Sequence, residues 1–414
     1  MIVIFRKFLN DFTICFKWLI ISLITGSITG LVGSALYICL SSVTGFRESH
    51  TYMKYFLPIG GIVIVFVNKF FKESSKGPNL VIDTIHSTKS LTPLMAPAMF
   101  ISTIITHLTG GSAGREGAAI QIGGSLGYNI GIFFKLEAKD RNIITMCGIS
   151  AAFSALLGTP IAATIFAIEV ASIGIMHYSA LLPCSISAIV ALETSKYCNI
   201  KHRTFSIMSI PSISPSILIK LIISGCIFAL ISILFCFILH KTHEVMEDKI
   251  KNDYFRIIIG GITIILLSIL LNTNEYLGAG IPIIEKSLKG EAFFSAFILK
   301  IIFTAITLGA GFKGGEIVPS FFIGATLGCV LGRILGISPS FCAALGMISL
   351  FCGVTNCPMT SLIISFELFS FKAVPFFLIS IGISYMISGY SGLYKSQKIM
   401  YSKVTAQFID RKVL

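Results

Sequence analysis

Charge is what this chain has least of. Asp, Glu, Lys and Arg together make up 12% of its 414 residues, while 54% are hydrophobic. A soluble globular domain carries about 25% charged residues, so this composition excludes a soluble fold. Acidic residues are the scarcer sign: 19 Asp plus Glu stand against 32 Lys plus Arg, for a net charge of +13. No Lys/Arg stretch is interleaved with aromatics for base stacking, so nucleic acid is not an expected partner. The eleven cysteines contain no C-x-x-C pair, and most lie inside apolar runs, Cys147, Cys236, Cys329 and Cys352 among them. They read as small buried hydrophobes. They give no disulfide framework and no metal site, and no cofactor is expected. His243-Glu244 begins a zinc-protease pattern, but Glu247 stands where H-E-x-x-H needs its second histidine. No enzyme is expected.

What the chain has instead is apolar length. Mean hydropathy is +0.88. At about 20 residues per span, the chain has room for ten or more membrane segments. Runs fall at 19–40, 59–71, 95–108, 117–134, 143–171, 180–192, 217–239, 257–271, 292–308, 320–335, 343–364 and 374–387. The first is too long for a signal-peptide core and reads as a retained helix. The expected fold class is all-α, a polytopic membrane protein. Both ends are basic, as are 135–141, 196–203 and 241–256. Basic clusters report topology in membrane proteins, so both termini are expected in the cytoplasm, with the chain in the cell membrane.

Gly110 to Gly124 organises the rest. Here Gly114-Arg115-Glu116-Gly117 interrupts apolar sequence on both sides. A charge at mid-membrane costs about 2.5–3.5 kcal/mol on insertion scales and marks a pathway or a pair. Glycine frees the backbone to approach a ligand. A helix starting after it aims unpaired N–H groups and a positive dipole end at that point. This is an anion site with a carboxylate placed in it; the plainer reading is that Arg115 and Glu116 pair with each other. His107, just upstream, reads either as a proton relay or as a hydrogen-bonded packing residue.

The second half echoes the first. Gly114-Arg115-Glu116 with Gly123 matches Gly315-Glu316-Ile317 with Gly324, an offset of 201. Gly158-Thr159-Pro160 with Glu169 matches Asn356-Cys357-Pro358 with Glu367, an offset of 198. Proline is tolerated in a first helical turn, so each of the latter stretches ends one helix and begins another inside the membrane. Broken helices in matched positions put a transport site at the repeat interface. The expected division is a first repeat at 1–200, a connection at 201–213, a second repeat at 214–396 and a basic tail at 397–414. An odd number of passes per half would make the repeats inverted. Glu169 and Glu367 are expected to satisfy backbone groups near helix ends. Gly123, Gly124 and Gly324 are expected at close helix contacts.

Gly114-Arg115-Glu116-Gly117 resembles the GREG signature of the CLC chloride channels and anion/proton antiporters. Gly314-Gly315-Glu316-Ile317-Val318-Pro319 is similar to their G-x-F-x-P signature, and the G-S-G-I-P position falls on Ser75-Lys76-Gly77-Pro78-Asn79. The resemblance covers nearly the whole chain. It implies two inverted repeats with broken helices meeting at mid-membrane, in a homodimer with one anion pathway per subunit. It makes Glu116 the gating glutamate and Tyr394 a coordinating hydroxyl. Gly114, Arg115, Gly117, Lys76, Gly77, Ile317 and Val318 become the other anion-binding positions. Since the chain ends soon after Tyr394, the family's regulatory cytoplasmic domains are expected to be absent.

The departures narrow the resemblance. Lys76 replaces the central serine, Ala118 the proline after GREG, and Ile317 the usual phenylalanine, with Glu316 before it. Val170, beside Glu169, stands where chloride/proton antiporters carry an inner glutamate. These changes resemble the fluoride/proton antiporter branch, with Glu116 and Glu316 as proton-coupling carboxylates. Lys76 reads either as an anion ligand or as a cation at the membrane rim. The expected function is halide/proton antiport with fluoride preferred; chloride/proton antiport and a passive chloride channel are the alternatives. The expected partners are a halide anion, protons and the lipid bilayer.

Overall fold

The computed structural model describes residues 2–71, 77–87, 89–369 and 371–413. Ser75 and Lys76 of the first signature lie outside these residues. The first half has eight α-helices: α1 (Ile2–Ser49), α2 (Leu57–Phe70), α3 (Gly77–His86), α4 (Met95–Thr109), α5 (Glu116–Phe133), α6 (Ala138–Leu157), α7 (Pro160–Glu169) and α8 (Leu181–Tyr197). The second half repeats the order: α9 (Pro215–Lys249), α10 (Asp253–Leu270), α11 (Ile281–Leu288), α12 (Ala296–Gly309), α13 (Ile317–Leu335), α14 (Pro339–Thr355), α15 (Pro358–Leu368) and α16 (Val374–Ile387). The α13 helix starts earlier than its apolar run suggests, because Pro319 sits in its first turn, where no intrahelical N–H is needed.

Six helical segments among the described residues are long and apolar enough to cross a membrane. Other apolar helices, including α4, α7, α12 and α15, have 10–17 residues and stop partway. The breaks fall where the sequence places them. The C-cap of α6 is Gly158 at φ +78°, and Pro160 begins α7. The C-cap of α14 is Asn356 at φ +60°, and Pro358 begins α15.

The repeats are inverted. Glu169, at the end of α7, accepts hydrogen bonds from Met359 N–H (3.0 Å), Thr360 N–H (2.9 Å) and Thr360 Oγ1 (2.6 Å) in the first turn of α15. Glu367, near the end of α15, accepts from Ile161 N–H (3.0 Å) and Ala162 N–H (2.8 Å) in the first turn of α7. Each helix end caps the other's beginning, so the two matched helices run antiparallel. Both carboxylates satisfy backbone donors, as expected from the sequence. Glu367→Ala leaves two first-turn N–H groups without their acceptor. The expected loss is about 1–2 kcal/mol, read as a lowered thermal unfolding midpoint of the detergent-purified protein; an unchanged midpoint would show that those donors need no carboxylate.

Glycine sets the closest helix contacts, and it does so twice. A Cβ on Gly148 of α6 would stand 2.0 Å from the Gly123 carbonyl oxygen of α5. A Cβ on Gly346 of α14 would stand 2.2 Å from the Gly324 carbonyl oxygen of α13. Backbone meets backbone at both crossings, which draws the signature-bearing helices α5 and α13 into the core.

The basic tail joins both halves. Its strands β2 (Lys398–Tyr401) and β3 (Phe408–Lys412) pair antiparallel, and β2 pairs parallel with β1 (Ser172–Ile173), which follows α7. Gln397 is fully buried and donates through Nε2 to Val170 O and Thr355 O, each at 2.9 Å. The side chain of Lys403 donates to Ser388 Oγ (2.9 Å) and to Asn356 Oδ1 at the α14–α15 break.

Candidate functional site

The two signature stretches touch across the pseudo-two-fold. Gly114 N–H donates to Gly315 O (2.7 Å) and Gly315 N–H to Gly114 O (2.8 Å), an isolated antiparallel bridge. Immediately after it α5 starts at Glu116 and α13 at Ile317. Two helix N-termini, each with unpaired first-turn N–H groups, therefore converge on one place. A Cβ on Gly117 would stand 2.7 Å from the Gly315 Cα, so only glycine lets the two turns lie this close. Ile317 and Val318 are buried there.

Glu116 is fully buried. Its Oε2 accepts from the Arg115 N–H at 3.0 Å, and the Val318 N–H also faces its carboxylate. Its Oε1 lies 3.5 Å from Arg115 Nε, yet neither atom has a hydrogen-bond partner. The two side chains thus form an ion pair without a hydrogen bond. The Arg115 guanidinium stacks on Tyr37, 4.5 Å from the ring centre. Glu316, the residue before α13, has a buried Oε2 with no partner, and that atom lies against Gly117. Tyr394 is 1% exposed, and its hydroxyl also has no partner. Glu316, Glu116, Cys236 and Cys357 are within electrostatic reach of that hydroxyl. Hydrogen bonds from Leu393 N–H to Val354 O (2.8 Å) and from Gln397 N–H to Tyr394 O (3.0 Å) hold its loop.

Two cavities reach this place. One, of about 950 Å³, is lined by Gly77, Gln121, Lys313, Glu316, Lys395 and Lys412, among others. The other, of about 510 Å³, is lined by Tyr37, Arg47, His107, Arg115 and Gly280, among others. They open on opposite sides. Asp253 and Arg256, at the start of α10, line the first, while Asn274 and Glu275, just past its end, line the second. The tail and the C-terminal end of α9 lie at the first; the C-terminal end of α1 lies at the second. The tail and the C-terminal end of α1 therefore border opposite vestibules. Arg203, from the basic stretch 196–203, lines the other vestibule and pairs with Glu285, so that cluster is not on the tail side.

Most sequence-derived positions come together here. Gly114, Arg115, Glu116, Gly117, Glu316, Ile317, Val318 and Tyr394 surround the convergence, and Gly77 lines the tail-side vestibule. His107 packs with Nε2 3.3 Å from Gly114 O, the plainer of its two readings. Gly110-Gly111-Ser112-Ala113-Gly114 also has the spacing of a serine nucleophile elbow, but Ser112 Oγ meets Thr304 Oγ1 at 3.1 Å rather than a histidine. Two residues escape the sequence reading. Gln121, one turn beyond Gly117 and bonded to its carbonyl at 3.2 Å, lines the tail-side vestibule. Lys300 is a lone cation inside the apolar run 292–308; its position there was the signal.

Comparison with known proteins agrees with this geometry. Residues 59–389 match the family described as voltage gated chloride channel. This chain belongs to the CLC family. The "chloride/fluoride channel protein" of Pseudomonas syringae pv. tomato is 34% identical over 395 residues, covering 94% of this chain and 87% of that protein. The "H(+)/Cl(-) exchange transporter ClcA" of Vibrio cholerae is 23% identical over 400 residues, covering 88% of this chain and 84% of that protein. Among solved structures, a CLC-type fluoride/proton antiporter superposes with a TM-score of 0.89 at 33% identity, covering 92% of this chain and 98% of its own. The protein is thus a multi-pass CLC transmembrane anion transporter.

Proposed function

We propose that this CLC protein exchanges a halide, fluoride in preference to chloride, for protons across the cell membrane. The observation that carries the reading is the set of buried oxygens without a hydrogen bond at the convergence: Glu116 Oε1, Glu316 Oε2 and Tyr394 Oη. A carboxylate at two converging helix N-termini occupies the place of an anion. Protonation discharges it and lets a halide displace it, which links proton binding to the anion step. Glu116, Gly114, Arg115, Gly117, Ile317 and Val318 form the gate and its backbone frame, with Gly77 and Tyr394 as further anion contacts.

Glu316 lines the tail-side vestibule and sits against Gly117, the position from which a second carboxyl passes protons toward Glu116. The lone charge at Val170 that a chloride/proton antiporter places nearby is missing, and Glu169 is engaged in capping. Fluoride is small and strongly hydrated, and protonated carboxyls, a phenol and peptide N–H groups replace its lost water better than apolar contacts. The solved CLC-type fluoride/proton antiporter, 33% identical to this chain, supports the same preference. Lys69, Arg256, Lys395 and Lys412 line the tail-side vestibule, which supports a cytoplasmic tail under the positive-inside rule. The functional unit is proposed to be a homodimer.

The deciding experiment is ion efflux from proteoliposomes, with fluoride and chloride in parallel and external pH recorded. Fluoride-selective efflux with opposite proton movement supports the reading, whereas chloride movement without protons makes the protein a channel. Glu316→Gln is expected to slow proton movement about a hundredfold while the protein stays folded. Wild-type coupled turnover in that variant would make Glu316 structural.

A further inference from the structure

The second repeat contains a stretch that the transport reading leaves without a role, Gly278-Ala279-Gly280-Ile281-Pro282. It leads into α11, and Ala279 to Pro282 line the 510 Å³ vestibule, on the side opposite the tail. Two cations close on it from within the protein. Lys300 of α12 is fully buried. Its Nζ donates to Gly278 O (2.7 Å) and Tyr276 O (3.2 Å) and lies 5.1 Å from the centre of the Phe322 ring. A Cβ on Gly280 would stand 3.6 Å from that Nζ, so the ammonium abuts the residue that caps α11. Arg47 presses its guanidinium against Gly278 and donates to His107 O at 3.0 Å.

This arrangement gathers like charges. The beginning of α11 is itself the positive end of a helix dipole. Lys300 forms no ion pair among the described residues. The vestibule's carboxylates face other groups: Glu48 is 3.8 Å from Arg47 and more than half exposed, and Glu275 is 3.6 Å from Lys286 at the rim. Arg115 Nε, buried and without a hydrogen-bond partner, borders the same cavity. Two carbonyl oxygens already accept from the buried ammonium, and a negative charge brought beside it, the guanidinium and the helix N-terminus stabilises all three further. The opening beside Gly280 and Ala279 is where a mobile one can arrive.

We propose that this vestibule holds a small monovalent anion at the Gly278–Ile281 loop, between Arg47 and the start of α11, with Lys300 as the buried charge behind it. The bound halide is a waiting ion, passed from there toward Arg115 and Glu116. The site rests on anion transport alone. It does not depend on fluoride preference or on proton coupling.

The test uses crystals of the full chain soaked in bromide, whose anomalous scattering locates the ion. Wild type is compared with Lys300→Met and with Ala279→Glu. The first removes the buried charge at similar volume. The second tethers a carboxylate at a half-buried position that lines the cavity, and its elution as a folded species on size-exclusion chromatography is checked first. A bromide peak beside Gly280 is expected in wild type and in neither variant. In flux measurements Lys300→Met should raise the KM for the anion about tenfold, the low end of what focused charge does to local ion concentration, with the maximal rate unchanged. A wild-type cavity without the peak, or a peak that survives Ala279→Glu, overturns the site. A peak that survives Lys300→Met overturns the part given to the buried ammonium. Absence of proton coupling in the liposome assay would overturn the antiport reading and leave this test standing.

Discussion

Glu116→Gln will leave anion movement running and abolish its coupling to protons. Glutamine keeps the shape of the protonated acid and still offers an oxygen to the Arg115 N–H, which now donates to Oε2 at 3.0 Å. What it removes is the charge that competes with an anion for the first-turn N–H groups of α5 and α13. The side chain is fully buried, so no surface carboxylate substitutes for it. Proton flux should fall at least about a hundredfold, the usual scale for a positioned acid–base group. Halide efflux should persist, because a neutral side chain no longer holds the place of the ion. The measurement is external pH and halide concentration recorded together from proteoliposomes. Sustained proton movement driven by the anion gradient would remove Glu116 from the gating role.

The largest structural effect is expected from Gly148→Ala. One methyl group there meets the Gly123 carbonyl oxygen at 2.0 Å and the Gly127 N at 3.0 Å. Both are backbone atoms, so no side chain can rotate away. The α5 and α6 helices must separate, and α5 carries Glu116. Overpacking of a core usually costs about 1–3 kcal/mol and more where backbone must move. Here a loss of about 4 kcal/mol or greater is expected, seen as failure to elute as a folded species on size-exclusion chromatography. Gly382→Ala is the control. Nothing lies within 4 Å of its added Cβ in α16, so helix propensity alone acts and favours alanine by about 0.5–1 kcal/mol. A Gly148→Ala protein as stable as that control would show that the α5–α6 contact is looser than its geometry.

The matched glutamates separate what can be read in sequence from what cannot. Glu169 and Glu367 are legible as repeat partners, because each follows a proline by nine residues in an apolar run. That each caps the other's helix requires α7 and α15 to lie side by side and antiparallel, and chain order carries no such information. Lys300 makes the same point differently. A lysine inside an apolar run announces a function, but its carbonyl partners, Tyr276 O and Gly278 O, lie 24 and 22 residues away and belong to a loop whose place depends on α11 and α12 packing. The tail reads as a basic extension. Its pairing with Ser172–Ile173 joins segments more than two hundred residues apart, a contact with no local signature.

By itself, then, the sequence determined the solvent, the helical class, the twofold repetition, the break points and the identity of the central carboxylate. Each of these follows from local chemistry: hydropathy, glycine and proline backbone limits, and the cost of a charge in an apolar run. The tertiary structure alone decided that the repeats are inverted, that Gly114 and Gly315 meet in one bridge, and that α5 and α13 aim their first turns at the same point. It also decided that the vestibules open on opposite sides. Those features arise from contacts between residues roughly two hundred positions apart, where close packing of backbone on backbone, and not any property of a single segment, selects the arrangement.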